Sequence, residues 1–399
     1  MNISSETLNF LQGHNFTLAL ADNLYIKILE DMKKGLSTGG SDQAMLKAGS
    51  ASVQEIKEGQ SVIVIDAGGT NFRSSLVTKI KDGIQISDFQ KTSMPAIDRE
   101  LSKGEFYKAI ADNISRLKDK ADKISFCFSY AMAITEDGDG KIIRFSKEVK
   151  AAEAIGSYLG KELLAELKMQ GWKKIKKIKV LNDTTALLLS SFVHNSKTKW
   201  GSHLAFILGT GMNSAYIQNK RIVVTECGMF SDLPQSDFDK TVCSRTSQPN
   251  QSLLEKMCSG AYLGDIAKEM LISASSEGLF STDFKLPEIF ETRNFDAYFL
   301  KKEEDLSQDE RKIKELLYAI IMRSAKLSAQ AIYAATHLSD KEKGEFPFCI
   351  TCNGSTFWKT PLLKESTEAQ LKTLLQQPFE IIQIDDDITK GSFAAAFIN

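Results

Sequence analysis

Asp66-Ala-Gly-Gly-Thr-Asn-Phe-Arg73 sets an acid, two glycines and several hydrogen-bond donors directly after the apolar run Val62 to Ile65. That combination suits the handling of an anion. Adjacent glycines let backbone N–H groups approach an anion closely. Asp66, at the end of a buried strand, can hold a metal ion through water. Thr70, Asn71 and Arg73 can donate to phosphate oxygens. A second apolar run ends in Leu76 and Val77, so residues 61–77 read as a β-hairpin with a polar, glycine-bearing tip, half of a nucleotide site. Three more polar tips follow apolar strands: Asn182 to Thr185, Gly209-Thr210-Gly211 and Gly354-Ser355, the last two with glycine. A glycine after a strand is ordinary turn chemistry. Four tips with acid, amide and hydroxyl companions are not, because the carboxyl ends of strands are where α/β sheets bind ligands. No Gly-x-x-x-x-Gly-Lys-Ser/Thr and no protein-kinase glycine loop occurs, which excludes those nucleotide folds.

The elements that position these tips alternate strand and helix. Strands are expected at 61–66, 72–79, 84–91, 123–129, 141–145 and 175–181. Helices are expected at 106–117 and 151–169, with another opening at Thr184. A second block starts at 203. Strand 203–209 runs into Gly209-Thr210-Gly211, and strand 213–218 turns at Asn219-Lys220 into 221–224. This repeats the strand, glycine tip and strand of 61–77 and implies two related halves, each offering one phosphate-binding hairpin. Residues 251–273 and 306–337 read as long helices, 347–351 and 379–384 as strands, and 390–398 as a terminal helix. Residues 5–58 lack strand character, with Met45 to Ile56 a helical candidate.

The bulk composition narrows the class. A chain of 399 residues is too long for one ordinary core. Its 42% hydrophobic and 25% charged residues and formal net charge of −1 describe a soluble globular protein without a global attraction to nucleic acid or anionic membrane. The basic run Lys173 to Lys177 reads as the solvated entry of a strand. No apolar run reaches transmembrane length and the N-terminus is polar, so the expected location is cytoplasmic. The six cysteines lie among apolar neighbours. Cys349 and Cys352 have redox or zinc half-site spacing but sit in a strand with no second pair, so reduced structural cysteines are expected. The four histidines show no ligand spacing.

Taken together, the motifs resemble those of the hexokinases. Asp66 to Arg73 looks like their first phosphate motif, Leu181-Asn-Asp-Thr-Thr185 like the segment with their catalytic aspartate, and Leu208-Gly-Thr-Gly-Met-Asn213 like their second phosphate motif. Thr225-Glu-Cys-Gly-Met-Phe230 resembles a sugar-site motif, and Leu254 to Gly264 the helix with a second sugar-site glutamate. Asn353-Gly-Ser-Thr356 resembles the adenosine motif. Phe128-Ser-Tyr130 and Phe145-Ser-Lys147 match the Phe-Ser-Phe-Pro and Trp-Thr-Lys segments. The order is the family's, across about 60 to 398. The resemblance implies an α/β, two-domain actin-like ATPase (ribonuclease H-like) fold with a cleft between a small and a large domain. The expected division is an N-terminal helical segment, 1–60, packing on the large domain, a small domain, 61–185 with 390–399, and a large domain, 186–389.

The implied activity is ATP-dependent phosphorylation of a hexose, glucose first, at the 6-hydroxyl. A sugar hydroxyl is a poor nucleophile, so a carboxylate must accept its proton, and Asp183 beside Asn182 is the expected base. Lys147 can supply positive charge to the transferring phosphoryl group or to the sugar. Glu226 and Glu255 can accept from sugar hydroxyls, with Ser129, Ser146, Asn182 and Asn213 completing the ring. Gly68, Gly69, Thr70, Asn71, Arg73, Gly209, Thr210, Gly211, Gly354 and Ser355 are the expected phosphate and nucleotide contacts. Mg²⁺ should bridge the β- and γ-phosphates with Asp66 in its outer shell.

Departures from the family pattern are Ala131 for proline, Ser146 for threonine, and Cys227 and Met229 for Trp and Ala. They leave the reacting groups intact and bear on the packing of the sugar pocket. The Cys/His zinc cluster of the bacterial repressor/sugar-kinase family is absent, which favours the hexokinase branch. The length suits one catalytic unit, as a monomer or homodimer. The alternatives are an N-acetylhexosamine kinase, a catalytically idle sugar sensor, and an ATPase of the motor or chaperone type.

Overall fold

The computed structural model describes residues 2–18, 23–145, 148–340 and 346–398. Its strands are β1 Leu46–Ser50, β2 Ser61–Gly68, β3 Asn71–Ile80, β4 Gly83–Ser93, β5 Lys123–Phe128, β6 Ala131–Ile134, β7 Gly140–Arg144, β8 Lys177–Leu181, β9 Ser202–Leu208, β10 Met212–Gln218, β11 Arg221–Val224, β12 Phe348–Asn353 and β13 Phe379–Ile382. One sheet runs β4-β3-β2-β5-β8 and another β1-β11-β10-β9-β12-β13. In both, two antiparallel hairpin pairings are followed by two parallel pairings. If β1 is set aside, the two sheets share one strand order, which is the structural form of the repeat between 61–77 and 203–224. This is the two-domain α/β fold expected.

Parallel neighbours need a crossover, and helices provide it. Helix Lys103–Asn113 precedes β5 and Leu159–Met169 precedes β8. Helix Gln308–Leu338 precedes β12, and its start is fixed by a capping box of Ser307 and Glu310. Each sheet has its own apolar core, one including Phe106, Phe126 and Leu163, the other Phe206, Leu254 and Leu327. Two further helices lie between the sheets. In Asp183–Ser190 every residue from Thr184 onward is buried, as expected of a helix apolar on all sides, and it packs on β9 and β10. Helix Asp387–Ala395 packs on β2 and β5. The two touch where Gly391 lies against Ala186, so closely that a Cβ on Gly391 would overlap the Ala186 carbonyl oxygen.

Three sequence expectations are corrected. Leu46–Ser50 is a strand and not part of a helix. Gly49 has φ +103, which a helix does not admit, and the segment completes the open edge of β11 with Leu46 opposite Val224. Residues 151–169 are broken at Gly156, φ +85, so the regular helix is only Leu159–Met169. Residues 251–273 split at Ser259, extended at φ −89, ψ 158, into Leu253–Cys258 and Gly260–Ser276. The N-terminal helix Leu24–Ser37 lies on Gln308–Leu338, where Tyr25 N donates to Gln330 Oε1 at 2.8 Å. All six cysteines are buried and unbridged. Among the described residues no helix is long and apolar enough to cross a membrane.

Candidate active site

The β2–β3 hairpin pairs Asp66 with Arg73 and Gly68 with Asn71, leaving Gly69 and Thr70 at the exposed tip. Arg73 Nη1 donates to Asp66 Oδ2 at 2.7 Å. Burial nevertheless raises the Asp66 pKa, outweighing the guanidinium beside it. The two glycines have different duties. A Cβ on Gly68 would lie 2.9 Å from Ser129 Cβ. Gly69 has open space around it but takes φ +57, a conformation glycine adopts without penalty. Ser129, exposed on this side, continues the β2–β5 ladder through its N–H to Ala67 O at 2.9 Å.

At the end of β8, Asn182 caps helix Asp183–Ser190 by accepting Thr185 N on Oδ1 at 2.9 Å. The capping bond explains why an amide stands here, and it leaves the Asn182 Nδ2 group to address a ligand. Asp183 accepts Thr184 N at 2.7 Å and Thr184 Oγ1 at 3.2 Å, both on Oδ1. Its pKa is raised by burial and further by the negative charge of Asp66, although the Thr184 bonds oppose this.

The second hairpin joins β9 to β10 through Gly209-Thr210-Gly211, with Leu208 opposite Met212. Glu255 accepts Met212 N on Oε2 at 3.0 Å. That oxygen would lie 2.8 Å from a Cβ on Gly211 and 3.3 Å from one on Gly228. Gly211 is therefore small because Glu255 packs on it. Glu226, left-handed at φ 54, is gripped by Asn213. The Asn213 Nδ2 donates to Glu226 Oε1 at 2.7 Å and its Oδ1 accepts Glu226 N at 3.0 Å. Burial raises both glutamates, and Glu226 also feels the charges of Asp183 and Glu255. A cavity of about 370 Å³ includes Leu46, Tyr130, Ala131, Ile143, Asn182 and Glu226 in its lining. It joins Asn182 of the first half to Glu226 of the second.

The break at Ser259 has a use. It points Gly260 N at Gly209 O, 2.8 Å away, and Thr356 Oγ1 donates to the same oxygen at 2.9 Å. Gly354, φ +116, abuts Leu208 so tightly that a Cβ there would overlap its carbonyl oxygen. Thr210, Gly260, Thr292, Arg293, Ser355 and Lys359 are among the residues lining a cavity of about 430 Å³ beside this loop. The Asn353 amide Nδ2 donates to Asp387 Oδ2. Asp387 is buried, with its pKa raised by that burial, and it also senses Asp66.

The structure thus places Asp66, Asn182, Asp183, Asn213 and Glu226 at or near strand ends, with Glu255 on helix Leu253–Cys258 bonded to Met212 N, Ser355 on the 430 Å³ cavity and Gly354 packed against Leu208. Ser146 and Lys147 lie outside the described residues. Glu291 to Arg293, Asp296 and Lys359 were not anticipated as cavity residues, because no motif marks them. Asp387 could have been suspected from the acidic run Asp385 to Asp387 ahead of the last helix.

Duplicated sheets of this order, each carrying a glycine hairpin, are the two-domain actin-like ATPase fold. Two family models, both described as Hexokinase, match residues 9–193 and 203–398. Hexokinase-1 of Arabidopsis thaliana is 25% identical over 402 residues, covering 86% of this chain and 80% of its own. Hexokinase-2 of Saccharomyces cerevisiae is 25% identical over 437 residues, covering 92% and 86%. Among solved structures, a hexokinase from Schistosoma mansoni complexed with glucose aligns with TM-score 0.78 at 21% identity over 98% of each chain. A ROK hexokinase from Thermus thermophilus aligns at TM-score 0.56 and 12% identity over 85% of this chain. The chain belongs to the hexokinase family of sugar-phosphorylating enzymes.

Proposed function

We propose that this chain transfers the γ-phosphoryl group of Mg-ATP to the 6-hydroxyl of a hexose, glucose first, with Asp183 as general base. The observation that supports this most directly is the place of Asp183. It stands within electrostatic reach of Asp66 on the phosphate hairpin and of Glu226 on the sugar side. Asp183 accepts the hydroxyl proton as the sugar oxygen bonds to phosphorus and the bond to the ADP oxygen breaks. Glu226, Glu255, Asn182, Asn213, Ser129 and Ser146 orient the sugar, and such a ring of polar groups rejects a ligand lacking a hydroxyl. Lys147 supplies positive charge, as its motif implies.

The hairpin tips Gly68 to Asn71 with Arg73, and Gly209 to Gly211, receive the phosphates, while Gly354 and Ser355 border the nucleoside. Among the described residues no three His, Cys, Asp or Glu side chains form a metal cluster. The ion would arrive on the nucleotide phosphates with the carboxylate of Asp66 beside it, as Mg²⁺ is commonly held. The ion supplies charge neutralisation on those phosphates. Closure of the cleft excludes water, the competing nucleophile.

A coupled ADP assay with glucose, mannose, fructose and N-acetylglucosamine tests the reading. The expected result is sugar-dependent ADP release, largest with glucose. Release largest with N-acetylglucosamine, sugar binding without release, or release indifferent to sugar would each replace it.

A further inference from the structure

Tyr130 touches both halves of the reaction. It is among the residues that line the cavity bounded by Asn182 and Glu226. Its hydroxyl donates to Gly69 O at the tip of the β2–β3 hairpin, 2.7 Å away. The side chain is 8% exposed and its ring is wedged against Phe128 and Phe145, with centroids 4.7 and 5.6 Å distant. It has little freedom to leave the carbonyl. The Phe-Ser-Phe-Pro segment that residues 128–131 resemble has a phenylalanine, without a hydroxyl, at this position.

The bond sets more than one atom. In a trans peptide the C=O and the following N–H point in opposite directions. Holding Gly69 O towards Tyr130 therefore fixes Thr70 N–H away from it, at a tip where Gly69 itself offers no side-chain restraint. The other side of the tip is held where Met94 N donates to Thr70 O at 2.9 Å. Burial also pushes the Tyr130 pKa up to about 12, so the hydroxyl keeps its proton and donates at any working pH.

We propose that Tyr130 is a positioning residue that ties the sugar-side segment to the phosphate hairpin, so that sugar and nucleotide strengthen each other's binding. The proposal rests on the reading of the β2–β3 tip as a phosphate site. Tyr130→Phe removes only the hydroxyl and keeps the ring packing.

The test compares wild type and Tyr130→Phe in steady-state kinetics, and by calorimetry of glucose with and without a non-hydrolysable ATP analogue. The expected variant has a KM for ATP raised roughly three- to tenfold, the effect of one hydrogen bond. Its glucose Kd without nucleotide stays within twofold of wild type, and the tightening of glucose by the analogue is largely lost. A KM for ATP within twofold, with the tightening intact, overturns the proposal. Analogue affinity measured alone reads the latch even in a protein without turnover: an unchanged Kd in the variant overturns it, a weakened one supports it. A failed proposal and a failed assignment of the reaction are thereby told apart.

Discussion

Asn213 holds Glu226 by both its ends: the amide Nδ2 donates to the carboxylate at 2.7 Å, and the amide oxygen accepts the Glu226 backbone N–H at 3.0 Å. One side chain thereby fixes a left-handed residue and aims its carboxylate into the cleft. Asn213→Ala leaves a half-buried carboxylate oxygen and the Glu226 N–H without these partners, at about 0.5–1.5 kcal/mol for each hydrogen bond. The KM for sugar should rise about tenfold or more, with the KM for ATP within twofold. Equal weakening of both would mean that Asn213 serves the fold and not the sugar.

The contact of Gly391 with Ala186 decides the sign of another substitution. Glycine inside a helix normally costs about 0.5–1 kcal/mol relative to alanine, so Gly391→Ala would be expected to stabilise. The added methyl, however, meets the Ala186 carbonyl oxygen, and overpacking of this kind costs about 1–3 kcal/mol. Urea unfolding should show Gly391→Ala to be less stable than wild type. A higher unfolding midpoint would contradict the tight crossing of the two helices.

A buried pair that lines neither cavity offers a control. Asp239 and Arg323, 1% and 2% exposed, are joined by two bonds of 2.6 and 2.7 Å, and Arg323 lies over Phe16 at 4.1 Å. Asp239→Ala strands a buried guanidinium, at about 3–5 kcal/mol. Thermal unfolding should fall sharply, whereas loss of activity with an unchanged Tm would place Asp239 in the reaction.

The raised pKa of Asp183 has two consequences of opposite sign. As a base it must be ionised, so kcat should fall on acidification at a pH above the ordinary aspartate range. For stability, an acid whose folded pKa is raised favours the fold below its unfolded pKa, and that advantage is lost as pH rises through the folded value. At neutral pH ionised Asp183 therefore burdens the fold. Asp183→Asn, which can still accept the Thr184 bonds, should have a higher Tm than wild type near pH 7.5 and no advantage below about pH 4. A lower Tm at neutral pH would mean that the carboxylate is stabilised in place.

Much of this was legible in the residues. The two hairpins could be read because each is local: an apolar strand, a glycine tip and a strand within 20 residues or so. Strand β1 could not, because its partner Val224 is remote in sequence and an edge strand with exposed Leu46 shows no alternation of its own. The carboxylates Asp66, Asp183, Glu226 and Glu255 were marked by motif. Their restraints were not: the Glu255 bond to Met212 N and the Asn213 grip on Glu226 join residues from separate elements of the second half that only its packing brings together. The cavity of about 430 Å³ draws on Thr292, Arg293 and Lys359, side chains ordinary in composition that only the fold brings to Ser355.

The central claim is that Asp183 takes the proton from the sugar hydroxyl. Its most direct test is single-turnover ADP formation by Asp183→Asn at saturating glucose and Mg-ATP, with the glucose Kd measured alongside. The predicted result is a rate lower by roughly 10²–10⁴-fold, the usual contribution of a general base, and a glucose Kd within a fewfold of wild type. A rate near that of wild type would contradict it.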